Sequence, residues 1–235
     1  MRRPRVKYRR RFVPFALAAA GACASGGAEE SDRRASPALV PVIGLWTSIG
    51  DGDPALQVDG ARWNGLTPRD SVAARLTTLF GAPAEAFLAQ ATSEGAFPIA
   101  LWSDTTSFSS GTLRVRFRLD GGESDQNAGI VLGLRPSGEY VFVRYNTKDG
   151  DVAVWEYVNG TRRVLVHGTT HEQLPLGEWH ELVVTVDGAT VRGEVTGRSV
   201  SVEHTFEAPL VGRVGLWTKR DAVTTFRDFR VERAN

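Results

Sequence analysis

Residues 112–119 alternate strictly between apolar and polar side chains, and three successive polar positions are arginine. A period of two is typical of a strand that buries one face. The apolar set is Leu113, Val115, Phe117 and Leu119, and the basic set is Arg114, Arg116 and Arg118. The stretch predicts a half-buried strand. We interpret the arginine row as a solvated outer face, with attraction of an anionic glycan as the alternative.

Further strand-like runs follow this stretch and are separated by Gly-containing turns such as Asp149-Gly150 and Asn159-Gly160. The runs span 128–134, 140–146, 152–158, 161–167, 179–186, 190–196, 199–206, 213–218 and 224–231. Many short strands joined by hairpin turns, without helices between them, are typical of an antiparallel sandwich or barrel rather than an α/β fold. We therefore predict an all-β, two-sheet antiparallel sandwich.

One surface helix is expected before these strands, over residues 68–80. Thr67-Pro68-Arg69-Asp70 has the form of a capping box with proline at the first helical position, and Gly81 can end the helix. Its apolar stripe is Val72, Leu76, Leu79 and Phe80. Residues 84–91 fit either a second helical turn or a strand leading into 97–102.

The amino-terminal residues 1–23 have the character of a secretory leader. Basic residues precede the weakly apolar stretch 12–22, which ends in Ala20-Gly21-Ala22-Cys23. Small residues before the chain's single cysteine resemble a bacterial lipobox, so Cys23 is the predicted lipidation site, with an incidental cysteine behind an ordinary cleavage site as the alternative. Arg9-Arg10-Arg11-Phe12-Val13 also fits the twin-arginine pattern, and the general secretory route stays open.

Residues 24–41 have no periodicity and are predicted to be a flexible linker, so the folded domain is expected over 42–235. The first eleven residues hold seven of the 28 Lys and Arg residues and none of the 27 Asp and Glu residues. The remaining 21 basic and 27 acidic residues give a net charge of −6. A nucleic-acid partner is therefore not expected. The expected address is the periplasm or outer membrane of a bacterial cell envelope, with membrane attachment through the lipid only.

From residue 96 onward the chain resembles the concanavalin A-like jelly rolls, in particular bacterial domains grouped with the three-keto-disaccharide hydrolases. The matching segments are 97–100 (FPIA), 108–113 (FSSGTL), 125–130 (DQNAGI), 143–146 (VRYN), 177–180 (GEWH), 214–219 (VGLWTK) and 226–229 (FRDF). The resemblance implies two curved sheets and a groove that in many relatives receives saccharides. The hydrolases carry an E-x-Q-x-x-D pattern where residues 140–145 of this chain read YVFVRY.

Three functions stay open on this basis. The first is carbohydrate or glycoconjugate binding without catalysis, the second is glycoside hydrolysis, and the third is a laminin G-like protein-interaction module. No cofactor is required by the first. Asp228 resembles an aspartate that helps bind structural calcium in some jelly rolls, although calcium takes 6 to 8 oxygens and the other ligands are not visible. Glu139 and Glu156 could meet across neighbouring strands, with solvated surface acids as the alternative.

The predicted groove lies where Gly129 and Gly133 leave one strand face bare, with sheet curvature as the alternative explanation. On the next strand, Arg144 and Asn146 would supply hydrogen bonds to a sugar, unless Arg144 is buried and paired to a carboxylate. Trp155 could stack on a sugar ring or pack between the sheets. The full set of predicted ligand-binding residues is Gln126, Asn127, Arg144, Asn146, Trp155, Trp217, Lys219 and Asp221.

Overall fold

A computed structural model describes residues 39–50 and 55–234, and the leader, Cys23 and most of the predicted linker lie outside them. The strands in chain order are β1 (Leu39–Ile43), β2 (Trp46–Ile49), β3 (Ala55–Asp59), β4 (Ile99–Trp102), β5 (Gly111–Gly121), β6 (Asn127–Leu134), β7 (Tyr140–Asn146), β8 (Asp151–Val158), β9 (Thr161–His167), β10 (Trp179–Asp187), β11 (Thr190–Val195), β12 (Ser201–Thr205), β13 (Arg213–Trp217) and β14 (Val223–Arg233). Two helices, α1 (Arg69–Phe80) and α2 (Glu85–Ala91), lie between β3 and β4.

The strands form two antiparallel sheets of seven strands each. Sheet A has the order β1-β4-β13-β6-β7-β8-β9, and sheet B has the order β12-β11-β10-β5-β14-β3-β2. This architecture confirms the predicted all-β sandwich. Its second helix, α2, settles the ambiguity of residues 84–91 in favour of a helix rather than a strand.

The core between the sheets forms from the alternation that the sequence displays. All four apolar residues of the β5 stripe are buried, while its arginines point outward and are half-buried. The four apolar residues of β5 pack against inward-facing residues of sheet A such as Ile130, Val143 and Val154. Burial of one face on each sheet therefore accounts for the sandwich, since every apolar stripe needs a facing layer.

A second apolar cluster lies on the outer face of sheet A, the face turned away from sheet B. Val72, Leu76 and Leu79 of α1 and Phe87 and Leu88 of α2 are buried in this cluster. The sheet contributes Ile99, Leu101, Val131, Tyr140, Phe142, Tyr157 and Trp217. The helices are thus layered over one end of this face, and α2 lies beside the β6–β7 turn, where the Phe87 N–H donates to Pro136 O.

Two local predictions need correction. Pro68 precedes the first residue of α1 and no side chain caps the helix. The Thr67 hydroxyl, expected to form a capping box, instead accepts a hydrogen bond from the Gly44 N–H at 3.0 Å, because Thr67 is buried against the β1–β2 turn. In addition, β1 pairs with β4 from Leu39 onward, so residues 39–41 belong to the sheet and not to the linker. Gly81 ends α1 in the left-handed conformation, as predicted.

Candidate functional site

Polar side chains collect at the end of the outer face of sheet A that lies opposite the helices. Strand register brings them together, because Asn127 of β6 pairs with Asn146 of β7, which pairs with Asp151 of β8. The group comprises Asp125, Asn127, Arg144, Asn146, Asp149, Asp151 and Lys219, and we call it the polar cluster. Five of its members are buried, so it is a structured network rather than a solvated rim.

Arg144 is the centre of the polar cluster and is only 5% exposed. Its Nη1 donates to Asp151 Oδ1 at 2.9 Å and its Nη2 donates to Asp149 Oδ2 at 2.7 Å. Two carboxylates therefore compensate the buried guanidinium. Arg144 is therefore buried and paired to carboxylates, which is the alternative that the sequence left open. Both of its terminal nitrogens donate hydrogen bonds within the protein.

The asparagines and Lys219 extend this network. Asn146 Nδ2 donates to Asp149 Oδ2 at 3.0 Å, and Lys219 Nζ donates to Asp125 Oδ1 at 2.9 Å. The Asn127 Oδ1 accepts the Lys219 backbone N–H at 3.0 Å, while Asn127 Nδ2 is buried without an acceptor among the described residues. The structure thus brings together four residues that the sequence predicted, and adds the aspartates.

Asp221 and Gln126 serve the loop beside the polar cluster. The Asp221 carboxylate accepts three backbone N–H groups, from Glu123 at 2.9 Å, Ser124 at 2.6 Å and Asp125 at 3.1 Å. Gln126 Nε2 donates to Gly122 O at 2.9 Å. Both side chains hold the backbone of residues 122–125 in place, so their contacts are structural rather than directed at a ligand.

Trp217 lies in the apolar cluster rather than on a groove wall. It is 0% exposed, and its ring stacks on Phe142 with centroids 4.0 Å apart. A Cβ at Gly129 would lie 3.2 Å from Trp217 Cε3 and 3.2 Å from Arg144 Cβ. The bare backbone of Gly129 therefore makes room for the indole, and the expected ligand space above it is filled by the protein itself.

Trp155 and Arg162 form a half-buried pair between the apolar cluster and the polar cluster, since the Trp155 ring centroid lies 6.1 Å from that of Phe142 and 5.6 Å from Arg144 Cζ. The Arg162 Cζ lies 4.6 Å from the Trp155 ring centroid and 5.3 Å from that of Phe97. Burial lowers the pKa of Arg162, and the charge of nearby Arg144 lowers it further. Sequence reasoning missed Arg162, although Tyr157 pairs with it across the β8–β9 hairpin and the predicted Asn159-Gly160 turn implies that register.

His167 is a second residue that the sequence did not indicate. Its Nδ1 lies 2.5 Å from Asp151 Oδ2, and the aspartate side chain is 1% exposed whereas the histidine side chain is 52% exposed. A buried carboxylate therefore orients an accessible imidazole and bonds Arg144 through its other oxygen. Sequence spacing could not show this, because His167 faces Asp151 only after a register shift between β8 and β9.

An open cavity of about 420 Å³ is lined by Trp63, Asn64, Gly65, Leu66, Glu94 and Arg220, and Trp63 packs against the same apolar cluster as Trp155. Arg220 follows Lys219 in the chain and lies within electrostatic range of Arg162. The volume falls within the roughly 300 to 1,000 Å³ that is typical of small-molecule sites. We call this cavity, together with Arg162, Trp155 and the polar cluster, the cleft.

Other sequence-based candidates lie elsewhere. Glu139 and Glu156 do share a cavity, but its volume is about 160 Å³, below the usual range for a ligand site, and each is paired to arginine. His180 is buried beside Phe117, and burial lowers its pKa. The arginine row of β5 lies on the outer face of sheet B, where Arg114 pairs with Glu181 and Glu232.

The role of Asp228 as a calcium ligand stays a prediction. Asp228 is exposed, with φ 54°, and its carboxylate lies 3.8 Å from Arg227 Nε, a cation that would repel a second cation. Within residues 39–50 and 55–234, no group of three or more His, Cys, Asp or Glu side chains could hold a metal ion. In the same residues, no helix is long and apolar enough to cross a membrane.

Two solved structures resemble the chain over most of their length. A carbohydrate-binding module from Bacillus subtilis, CBM66, is 14% identical and covers 83% of this chain and 94% of its own, with a TM-score of 0.57. A Bacillus subtilis protein of unknown function with a galectin-like fold is 10% identical and covers 84% of this chain and 89% of its own, with a TM-score of 0.50.

No family model and no curated protein matches the chain. The narrower resemblance to three-keto-disaccharide hydrolases therefore stays a prediction. Identities of 14% and 10% show the fold alone. The fold is a concanavalin A-like, galectin-like jelly roll. Its core lies between the two sheets, and two helices cover one end of sheet A.

Proposed function

We propose that this domain binds a carbohydrate or glycoconjugate in the cleft, without catalysis. The observation that carries the proposal is the half-buried Trp155, which has Arg162 over its ring and Arg144 of the polar cluster 5.6 Å from its ring centroid. Sugars bind through apolar C–H faces and through hydroxyls, so a site for them combines aromatic surface with fixed hydrogen-bonding groups. The similarity to a carbohydrate-binding module supports the same class of ligand.

A glycan array probed with the purified full chain tests this proposal. We expect binding to a limited set of glycans and a loss of binding in Trp155→Ala, because that change removes the aromatic surface of the cleft. Trp179→Ala is the matched control, since Trp179 is also half-buried but lies on the outer face of sheet B beside Arg116 and Arg118. Absence of binding to any glycan, or equal binding by both variants, would contradict the proposal.

Glycoside hydrolysis is the second candidate, and the orientation of His167 by Asp151 is the observation that favours it. An imidazole held by a buried carboxylate through Nδ1 keeps its Nε2 available as a general base. Incubation of the full chain with the glycans it binds and with three-keto-disaccharides should then release product, and His167→Gln should abolish that release. Binding without turnover would exclude the hydrolase. If the chain is instead a laminin G-like protein-interaction module, we expect no glycan binding.

We also propose that the chain is exported and anchored to a bacterial membrane by acylation of Cys23. The support is the sequence alone, in which the only cysteine follows Ala20-Gly21-Ala22 behind a basic and apolar leader. Cys23→Ser should move the protein from the membrane fraction to the soluble fraction or leave it unprocessed. Recovery of the unaltered protein as soluble, unacylated material would contradict this assignment.

A further inference from the structure

Arg162 is a half-buried cation without a carboxylate partner in the part of the chain that the structure describes. The other buried guanidinium of the cleft, Arg144, holds two aspartates, and Lys219 holds Asp125. No residue of 39–50 or 55–234 forms an ion pair or hydrogen bond with Arg162, whose recorded contacts are the rings of Trp155 and Phe97. Partial burial of a charge without a partner is unfavourable, so a counter-ion from outside the protein would stabilise it.

The placement of Arg162 suits recognition of a planar anion. Its Cζ lies over the Trp155 and Phe97 rings, and none of its N–H donors has an acceptor among the described residues. None of its nitrogens is among the buried unpaired atoms, so these donors are reachable from solvent. A guanidinium edge of this kind binds a carboxylate through two parallel N–H···O bonds.

Two hydrogen-bond donors near Arg162 are also unpaired. Asn127 Nδ2 and Trp155 Nε1 are buried donors without acceptors in the described chain. Arg144 and Arg220 both lie within electrostatic range of Arg162, but Asp149 and Asp151 compensate the charge of Arg144, and Asp125 also lies within range. Glu94 lines the cavity but is exposed. The cleft holds four cations (Arg144, Arg162, Lys219 and Arg220) and four carboxylates (Asp125, Asp149, Asp151 and Glu94), so the unpaired Arg162, and not a surplus of positive charge, points to an acidic ligand.

We propose that the ligand is an acidic saccharide whose carboxylate binds the edge of Arg162. This inference rests on the proposed carbohydrate-binding function and names its ligand class. A uronic or sialic acid residue would supply both the carboxylate for Arg162 and an apolar ring face for the exposed part of Trp155.

The test compares lactose, 3′-sialyllactose, lactose 3′-sulfate, trigalacturonic acid and its methyl ester for binding to the purified full chain. We expect a carboxylated glycan to bind at least about tenfold more tightly than its neutral counterpart, as the loss of a charged hydrogen-bond pair predicts. Arg162→Gln should remove that preference, and Arg162→Lys should restore only part of it, because lysine keeps the charge but not the fork.

Arg163→Gln is the matched control, because Arg163 is the next residue of β9, is exposed and pairs with Glu156 on the other face. Arg163→Gln should bind the glycans like the unaltered chain. Arg162→Gln and Arg163→Gln should both keep the melting temperature of the unaltered chain. Preference for lactose, the methyl ester or the sulfate, or unchanged preference in Arg162→Gln, would overturn the inference while leaving carbohydrate binding in place. Absence of binding across this set and the full glycan array would overturn the proposed function as well.

Discussion

The two ends of the outer face of sheet A are built from the same strands but have opposite character. At the β6–β7 turn, the helices cover an apolar layer in which Tyr140 and Tyr157 stack with centroids 5.1 Å apart. At the β7–β8 turn, the same strands carry the polar cluster, to which neither α1 nor α2 contributes a side chain. A single sheet face therefore combines an apolar layer under the helices with a polar network at its other end, and it is near this network that we propose a ligand binds.

The largest effect is expected in the apolar layer under the helices. Trp217→Ala should lower the free energy of unfolding by about 3 to 5 kcal/mol, because it leaves a cavity next to Phe142 and Phe97. Urea denaturation measures this loss. Trp179→Ala, on a half-buried tryptophan of sheet B, should cost clearly less. Equal costs for the two variants would mean that the apolar layer is not a second core.

Arg144 lies between the apolar cluster and the polar cluster, and Arg144→Ala should lower the free energy of unfolding by less than Trp217→Ala does. Removal of the guanidinium leaves the Asp151 carboxylate buried without its ion pair. We expect the free energy of unfolding to fall by about 3 kcal/mol, the lower end of the usual range for a broken buried pair, because His167 still bonds that carboxylate. Melting temperature and glycan affinity should be measured on the same sample. A large loss of affinity at an unchanged melting temperature would place Arg144 in contact with the ligand instead.

Asp221→Ala sharpens the comparison at the loop that borders the cleft. The carboxylate accepts three backbone N–H groups, and its removal should cost about 1.5 kcal/mol, in keeping with its partly exposed position. Hydrogen exchange at residues 123–125 should accelerate in the variant. Unchanged exchange rates together with lost glycan binding would return Asp221 to the role of a ligand-contacting residue.

The smallest effect is a pH dependence that belongs to the inter-sheet core rather than to either end. Burial lowers the pKa of His180 below its ordinary 6.5, and the charge of Arg198 lowers it further. The unfolded chain then binds more protons than the folded one between the two pKa values, so stability declines as the pH falls below 6.5 and levels off below the folded-state pKa.

Urea midpoints between pH 5 and 8 measure this dependence. We expect His180→Gln to show a shallower decline than the unaltered chain over that interval, since glutamine does not titrate. Identical slopes for the two proteins would assign the acid sensitivity of the fold to other groups.

Part of the cleft was within reach of sequence reasoning. The predicted Asp149-Gly150 turn places Asp151 opposite Asn146 and diagonal to Arg144, so the paired alternative for Arg144 followed from hairpin register. The short strands β1 to β3 gave too few alternating residues to be recognised. Thr67 looked like a helix cap because its partner, the Gly44 N–H, is distant in sequence.

Local periodicity and turn residues by themselves determined the two-sheet sandwich, the β5 strand, the helix that ends at Gly81 and the polar character of the β7–β8 end. Only the tertiary structure decided that Trp217 fills the space above Gly129 and that Arg162 lies on Trp155. The physical reason is that alternation assigns a side chain to a face of a sheet, whereas the residues that cover that face come from helices and loops distant in the sequence.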